Sequence, residues 1–351
     1  MTNLLEKTID AIRPVDSKWI RAAENRQLEL TKPPGSLGRL EEIANRCAAI
    51  RESLTLTAQS PRIVLFAADH GVCAEGVSPY PQEVTAQMVL NFLRGGAAIN
   101  ALARTAGVEL KIVDAGVSTP LPLSDGLIVR RAAAGTRNFC ERPAMTEAEM
   151  HSALEAGIEL AAESAGAGCV LLGFGEMGIG NTTSASAITS ALTGKPVENI
   201  IGRGTGADDE CLARKRRAIE RALELHSGQI ESPLGILRCL GGFEIAAMTG
   251  FCLEAAARRV PVVADGFIST AAAALAIRLC PATADYVFAS HQSAEPGHAY
   301  LLGMIDQRPL LDLGMRLGEG TGAALAITVI KAAVAAFTQM ATFSEAAVSN
   351  R

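Results

Sequence analysis

Residues 169–184 read CVLLGFGEMGIGNTTS. The stretch opens on an apolar run, Cys169–Leu172, passes through four alternating glycines, and reaches the hydroxyl-rich Asn181-Thr182-Thr183 ahead of an Ala-rich segment with helical spacing from Ser184 to Leu192. A short, continuously apolar run is the mark of a strand covered on both faces, and a helix directly after it is the first half of a parallel crossover. The same unit recurs in both directions along the chain. Upstream lie Arg62–Ala68 (RIVLFAA) and Leu110–Asp114 (LKIVD); downstream lie Val260–Ala264 (VPVVA) and Tyr286–Ala289 (YVFA). Helical periodicity fills Thr85–Leu93, Thr146–Ala165, Asp209–Leu225, Phe243–Arg258, Ser269–Leu279 and Thr321–Phe337. Repeated strand-then-helix units predict an α/β fold with a mainly parallel sheet and right-handed crossovers. The uneven spacing of the strands favours an open sheet over a closed barrel. Residues 1–55 and 326–351 read as helical instead, and are expected to form a small lobe beside a large catalytic domain over 56–325.

Composition agrees with that outline. Of 351 residues, 49% are hydrophobic, 20% charged and only 4% aromatic, so the core must be built from Ala, Val, Ile and Leu, which suits close helix-on-sheet packing. The net charge of −5 argues against nucleic acid as the main partner, because a phosphate backbone calls for a basic surface. The eight cysteines show no C-x-x-C pair, as expected for free thiols in a reducing compartment, and no metal-ligand cluster is legible. The start, MTNLLEKTIDAIRPVD, carries acids and lacks an apolar signal core. The most apolar late segment, Ala323–Phe337, is interrupted by Lys331 and falls short of the roughly 20 apolar residues a bilayer requires. A soluble cytoplasmic protein with no membrane partner is expected.

In open parallel sheets, ligands bind beyond the carboxyl ends of the strands, and here those ends are polar: Asp69-His70-Gly71, Asp114-Ala115-Gly116, the glycine run from Gly173, Asp265-Gly266-Phe267, and Ser290-His291-Gln292-Ser293. Each alone reads as a turn or cap; together they predict a site on one rim. Residues 173–178 match G-x-G-x-x-G, the dinucleotide fingerprint, which would make the chain an NAD-binding oxidoreductase. Glu176 would then stand beside a pyrophosphate, where a carboxylate is repelled. The alternative places a single phosphate on the amides and hydroxyls of Asn181, Thr182 and Thr183 and turns Glu176 toward a sugar. A second flexible loop, Gly202-Arg203-Gly204-Thr205-Gly206, feeds a helix bearing Arg214, Lys215, Arg216 and Arg217. Finally, Met315-Arg316-Leu317-Gly318-Glu319-Gly320-Thr321-Gly322 sets a lone carboxylate between glycines at the start of an apolar helix. Such a group is either desolvated, and so suited to act as a base, or a complement to the helix macrodipole.

These segments in order, LTKPPGSLGRLE, ADHGV, EGVSPYPQEVTAQM, VDAGV, GFGEMGIGNTT, IGRGTGADDE, GGFEIAAMTG, VVADGF, SHQSAEPG and MRLGEGTGAAL, resemble the nicotinate-nucleotide:dimethylbenzimidazole phosphoribosyltransferase family of cobalamin lower-ligand assembly, over nearly the whole chain. The resemblance implies a Rossmann-like sheet with a small helical lobe, a homodimer with its partner near the site, and no cofactor. The substrates it implies are nicotinate mononucleotide and a benzimidazole-type base, giving α-ribazole 5′-phosphate and nicotinate. It places the general base on Glu319, a carboxylate near the ribose on Glu176, and the phosphate-binding lysine on Lys215. Tyr80, Gln87 and Met88 match the region lining the base pocket. With the rim residues, this makes Gly175, Gly178, Asn181, Thr182, Gly204, Asp265, Ser290 and Leu317 the further candidates for substrate binding. Which base is natural, a benzimidazole, adenine or a phenol, stays open.

Overall fold

A computed structural model describes residues 4–122, 124–204 and 206–349; Thr205 of the second glycine loop lies outside them. Among the described residues, β1 (Arg62–Ala68), β2 (Glu109–Gly116), β3 (Leu127–Val129), β4 (Leu172–Met177), β5 (Val262–Ala264) and β6 (Val287–Ala289) form one sheet in the order β3-β2-β1-β4-β5-β6, with every pairing parallel. The helices are α1 (Leu4–Ala11), α2 (Ser17–Glu29), α3 (Arg39–Arg51), α4 (Glu83–Leu93), α5 (Ala98–Ala106), α6 (Glu147–Gly166), α7 (Asn181–Thr193), α8 (Val197–Ile200), α9 (Asp209–Leu225), α10 (Pro233–Leu240), α11 (Phe243–Ala257), α12 (Phe267–Leu279), α13 (Pro296–Met304) and α14 (Thr321–Gln339). The open, doubly wound sheet is the one expected. The edge strand β3 is an addition, and the third apolar run is displaced: β4 covers Leu172–Met177, so Gly173 and Gly175, expected to form a loop, lie within a strand.

Packing explains why glycine is tolerated there. Side chains alternate across a strand. Phe174 points to one face, where it meets Phe251 of α11 edge-on. Gly173 and Gly175 point to the other, where α14 and the loop before it come so close that a Cβ on Gly175 would stand 2.2 Å from the Gly320 amide nitrogen. Missing side chains on β4 therefore let the 318–320 loop rest on the strand that carries Glu176. The same economy governs the helices on the other side. α11 is buried over nearly its full length, as a helix covered on all sides is; its two acids are paired, Glu244 with His70 and Glu254 with Thr8 and Arg258. It crosses α6 where a Cβ on Gly157 would lie 1.8 Å from the Ala247 oxygen, and one on Gly250 would lie 2.0 Å from the Leu154 oxygen.

The chain ends meet. Leu30 bridges Thr342 in antiparallel fashion, and the Thr31 amide donates to the Ala341 carbonyl at 3.1 Å. The first helices also reach the main sheet's far edge: Arg46 donates to the Ala284, Asp285 and Val287 carbonyls, and the Tyr286 hydroxyl donates to the Arg13 carbonyl at 2.7 Å. The apolar stretch 323–337 belongs to a 19-residue helix that is, by length and composition, long enough to cross a membrane, contrary to the sequence expectation. α14 packs against β4, β5, α3 and α5, the position of a core helix.

Candidate active site

The strand order reverses direction between β1 and β4, which opens a crevice beyond their carboxyl ends. Several of the polar residues at those ends brace the rim. Asp69 Oδ2 accepts from the Ser118 amide at 2.8 Å, and Asp114 Oδ1 accepts from the Gly116 and Val117 amides. Asp265 is fully buried and accepts from the Gly320 and Ala323 amides at 2.9 and 3.0 Å. Burial pushes it up to about 7, against the pull of those amides. Ser290, also fully buried, donates to the Asp265 carbonyl. Asp265, Ser290 and Gly175 were expected to touch substrate; none lines the compartments of this crevice. Their work is to seat the loop at the start of α14.

That loop carries Glu319. Gly318, Glu319 and Gly320 have φ of 85°, 64° and 85°, a left-handed run that is costly for the one residue with a side chain. The amides at the start of α14 are taken by Asp265, so Glu319, which precedes the helix, is not the group that complements its N-terminus. Its Oε2 is buried with no hydrogen-bond partner. Burial raises its proton affinity above the usual carboxylate range, with the Ile99 amide opposing. Facing it is Glu176 at the end of β4. A Cβ on Gly318 would fall 2.3 Å from Glu176 Oε1, so glycine is required for the two acids to share this space. Glu176 Oε2 accepts from Asn181 Nδ2. Burial, followed by the negative charges of Glu244 and Asp265, holds Glu176 well above its ordinary range.

Around these two acids the crevice has three adjoining compartments. The central one is lined by Glu176, Asn181, His291, Glu295 and Glu319 among others. It shares Gly178, Asn181, Thr182 and Gly204 with a narrow recess that also contains Lys215. Here α7 starts at Asn181, three residues before the expected Ser184, because Gly180 at φ 93° turns the chain directly into the helix. Lys215 Nζ donates to Thr182 Oγ1 at 3.0 Å and to the Gly202 carbonyl at 3.4 Å; burial brings it down to about 8, opposed by Glu295. Its neighbours on α9 point elsewhere: Arg216 pairs with Glu198 and Glu220, and Arg214 with Glu210. On its other side the central compartment opens into an apolar hollow of about 600 Å³, lined by Tyr80, Val84, Met88, Met177, Ile179, Arg316, Leu317 and Glu319. Gln87 is exposed and lines none of this, whereas Val84 and Met88, one helical turn apart on α4, face the hollow. Arg316 donates to the Gly204 carbonyl at 2.6 Å and so ties the Glu319 loop to the glycine loop beside Lys215.

Sequence reading missed Val84, Met177, Ile179, Arg316 and Glu295 as lining residues, and placed His291 on the rim without singling it out. The i, i+4 spacing of Val84 and Met88 was the available signal for the first. Among the described residues, no three His, Cys, Asp or Glu side chains are grouped so as to hold a metal ion.

An anion-suited recess, two protonatable acids and an apolar hollow in one line suit the transfer of a phosphorylated group onto an apolar acceptor. Comparison with known proteins agrees. The phosphoribosyltransferase family profile matches residues 12–348. Nicotinate-nucleotide–dimethylbenzimidazole phosphoribosyltransferases from Chloroflexus aggregans and Geobacter metallireducens are 52% and 51% identical to this chain, covering 99% and 98% of each partner. The chain belongs to this family. A crystal structure of the Thermus thermophilus member superposes with a TM-score of 0.90 at 47% identity, covering 96% of this chain and 100% of the other. Full-length coverage in both directions means that the sheet, the glycine loops and both acidic residues fall within the matched region.

Proposed function

We propose that this chain transfers the 5-phosphoribosyl group of nicotinate mononucleotide to dimethylbenzimidazole, with Glu319 as general base, releasing nicotinate and giving α-ribazole 5′-phosphate for cobalamin lower-ligand assembly. The observation that carries the reading is the unpartnered, buried Oε2 of Glu319, held at the junction between the apolar hollow and the compartment leading to Lys215. That oxygen has no hydrogen-bond partner to lose, and burial raises the group's affinity for a proton.

The donor's phosphate lies against the α7 N-terminus, Thr182 and Lys215, where the positive end of a helix and an ammonium converge. Its ribose then passes Glu176, and the acceptor ring enters the hollow between Tyr80, Met88 and Leu317. One acceptor nitrogen gives its lone pair to C1′ while the C1′–N bond of the pyridinium breaks, returning that electron pair to the departing nicotinate nitrogen. As positive charge reaches the acceptor, its other nitrogen loses a proton to Glu319. Attack from the face opposite the leaving ring inverts C1′. Glu176, once the cationic donor has drawn it into its ionised form, faces the positive charge that develops on the sugar. Residues 173–177 of the G-x-G-x-x-G match lie within β4 and only Gly178 falls beyond it, so its first two glycines form no turn to wrap the pyrophosphate of NAD. The hollow is apolar, and adenine or a phenol stays a second class of acceptor.

A homodimer, a cytoplasmic location and a helical lobe over 1–55 and 326–351 are parts of the same proposal. Tyr80 and Leu317, 49% and 56% exposed, leave the hollow's apolar rim uncovered, which supports a second subunit there. All eight cysteines are free thiols, in keeping with a reducing compartment. The Leu30–Thr342 bridge supports the lobe. The test of the main reading is to incubate the protein with nicotinate mononucleotide and dimethylbenzimidazole and weigh the products. Ribazole phosphate appearing in step with free nicotinate is the expected outcome. Nicotinate without a ribosylated base would make the protein a hydrolase and remove the acceptor half of the proposal.

A further inference from the structure

Residues 293–296 read Ser-Ala-Glu-Pro, and Pro296 opens α13. Glu295 therefore holds the N-cap position of a helix, where an acid ordinarily satisfies free amides or complements the macrodipole. It does not cap: no side-chain cap bond is formed there. Its carboxylate reaches the glycine loop of residues 202–204 instead. Oε1 accepts from the Gly204 amide at 3.0 Å. Oε2 packs against Gly202, where an added Cβ would fall 2.0 Å away, and it is buried with no hydrogen-bond partner. A buried polar atom in that condition calls for a specific explanation.

Lys215 meets the same two glycines from α9. Its Nζ donates to the Gly202 carbonyl and to Thr182 Oγ1, and a Cβ on Gly204 would stand 3.2 Å from that hydroxyl. The ammonium and the carboxylate are on side chains only 1% and 5% exposed, and the charge of Glu295 opposes the loss of the Lys215 proton. A buried ammonium left alone is costly, so the carboxylate supplies a counter-charge in the free protein. It also takes a backbone amide of a glycine loop, a group suited to hold an anion. The recess around Lys215 measures about 30 Å³, which is room for about one or two waters. A phosphorus atom with its oxygens needs more.

We infer that Glu295 is an internal stand-in for the donor's phosphate: in the free protein its carboxylate holds the Gly204 amide and balances Lys215, and the incoming phosphate displaces it from both. The inference rests on reading the recess as the phosphate end of the crevice. It adds a built-in competitor that weakens the binding of every phosphorylated ligand and leaves unphosphorylated ones unaffected.

The experiment titrates wild type, Glu295→Gln and Glu295→Ala by calorimetry with nicotinate mononucleotide, inorganic phosphate and the unphosphorylated nicotinate riboside. It is run at about pH 7, where a phosphate monoester is largely dianionic. Gln keeps an oxygen for the Gly204 amide and removes the charge; Ala clears the amide as well. Two like unit charges about 10 Å apart at an effective dielectric of about 20 weaken binding by a factor of about 10. Both variants are therefore expected to bind the mononucleotide and phosphate about 10-fold more tightly than wild type, with the riboside unchanged. A purely structural carboxylate would give no such gain, since its loss can only loosen the loop. Equal or weaker binding of both phosphorylated ligands in the variants, or a gain shared by the riboside, would overturn the inference. Should the variants fail to fold, a crystal structure of the wild-type protein with inorganic phosphate decides. A phosphate oxygen on the Gly204 amide with Glu295 withdrawn is expected, and phosphate bound beside Lys215 with the Glu295–Gly204 bond intact would overturn it. These readouts concern binding alone, so an absence of ribosylated base would remove the reaction assignment and leave the role of Glu295 standing.

Discussion

Replacing Glu319 with Gln is the sharpest test of the base assignment, because the structure makes the substitution nearly isosteric. Gln preserves the volume and, through its amide oxygen, the contact with the Ile99 amide; Asp265 continues to hold the Gly320 and Ala323 amides, so the left-handed loop keeps its support. What disappears is a group able to take a proton. A positioned base is worth about 10²–10⁴ in rate, and that is the expected loss in turnover, with KM for nicotinate mononucleotide nearly unchanged because Lys215 and the α7 N-terminus are untouched. The assay is steady-state formation of ribazole phosphate, run beside an N-methylated dimethylbenzimidazole. That acceptor has no N–H, so transfer to it needs no base, and wild type and variant should then turn over alike. Near-normal turnover with the natural base, or an equally large loss with the N-methylated one, would refute the reasoning.

Burial raises the proton affinity of Glu319 and lowers that of Lys215 to about 8, which predicts a bell-shaped pH profile for kcat/KM. The acid limb, where the base becomes protonated, should lie above the usual glutamate range of about 4.3 and vanish in Glu319→Gln; the alkaline limb, where the phosphate loses its cation, should fall near 8 and vanish in Lys215→Ala. Lys215→Ala itself should raise KM for the nucleotide by about 10–100-fold, the worth of a charged hydrogen bond, with turnover little changed; a loss confined to kcat would count against phosphate binding. Gly250→Ala puts a methyl where the Leu154 oxygen stands 2.0 Å away, and forcing α6 and α11 apart should cost about 1–3 kcal/mol in denaturant unfolding. An unaltered midpoint would mean that the crossing is less tight than its geometry implies.

The strands that were legible are those with uninterrupted apolar runs, β1, β2, β5 and β6, since a strand covered on both faces has no other way to be buried. β3 escaped because it has three residues and a partly exposed edge position. α5, α10 and α13 are eight or nine residues long, too short for a 3.6-residue period to stand out in an Ala-rich chain. β4 was misread because glycine is a turn signal locally, whereas here the deciding interaction is non-local: the loop before α14 occupies the volume a side chain at 175 would fill, and α14 itself packs over 173. Glu319, Glu176, Asn181, Thr182 and Lys215 could be found because their motifs are distinctive. Asp265 and Ser290 show the limit. Which residue after a strand faces the crevice depends on a single step of alternation, and both turned inward, leaving Gly266 and His291 to line the cavity.

The inward turn of Asp265 also explains how the site tolerates so many acids. The charges of Glu244, Asp265 and Glu319 raise the proton affinity of Glu176, and that of Glu319 raises the proton affinity of Asp265, while the Glu244 carboxylate, among the described residues, pairs with His70 Nε2 at 2.6 Å. Together they form an excess of acid with too little compensating charge inside the protein. A neutral or anionic ligand would gain nothing from that arrangement. A pyridinium nucleotide brings a positive charge to the sugar end, and that charge grows on C1′ as the bond to nicotinate stretches. On the proposed reaction, the crowding of these carboxylates is a cost carried by the free protein that a cationic sugar offsets most in the transition state, which is the condition under which binding accelerates a reaction rather than merely retaining the substrate.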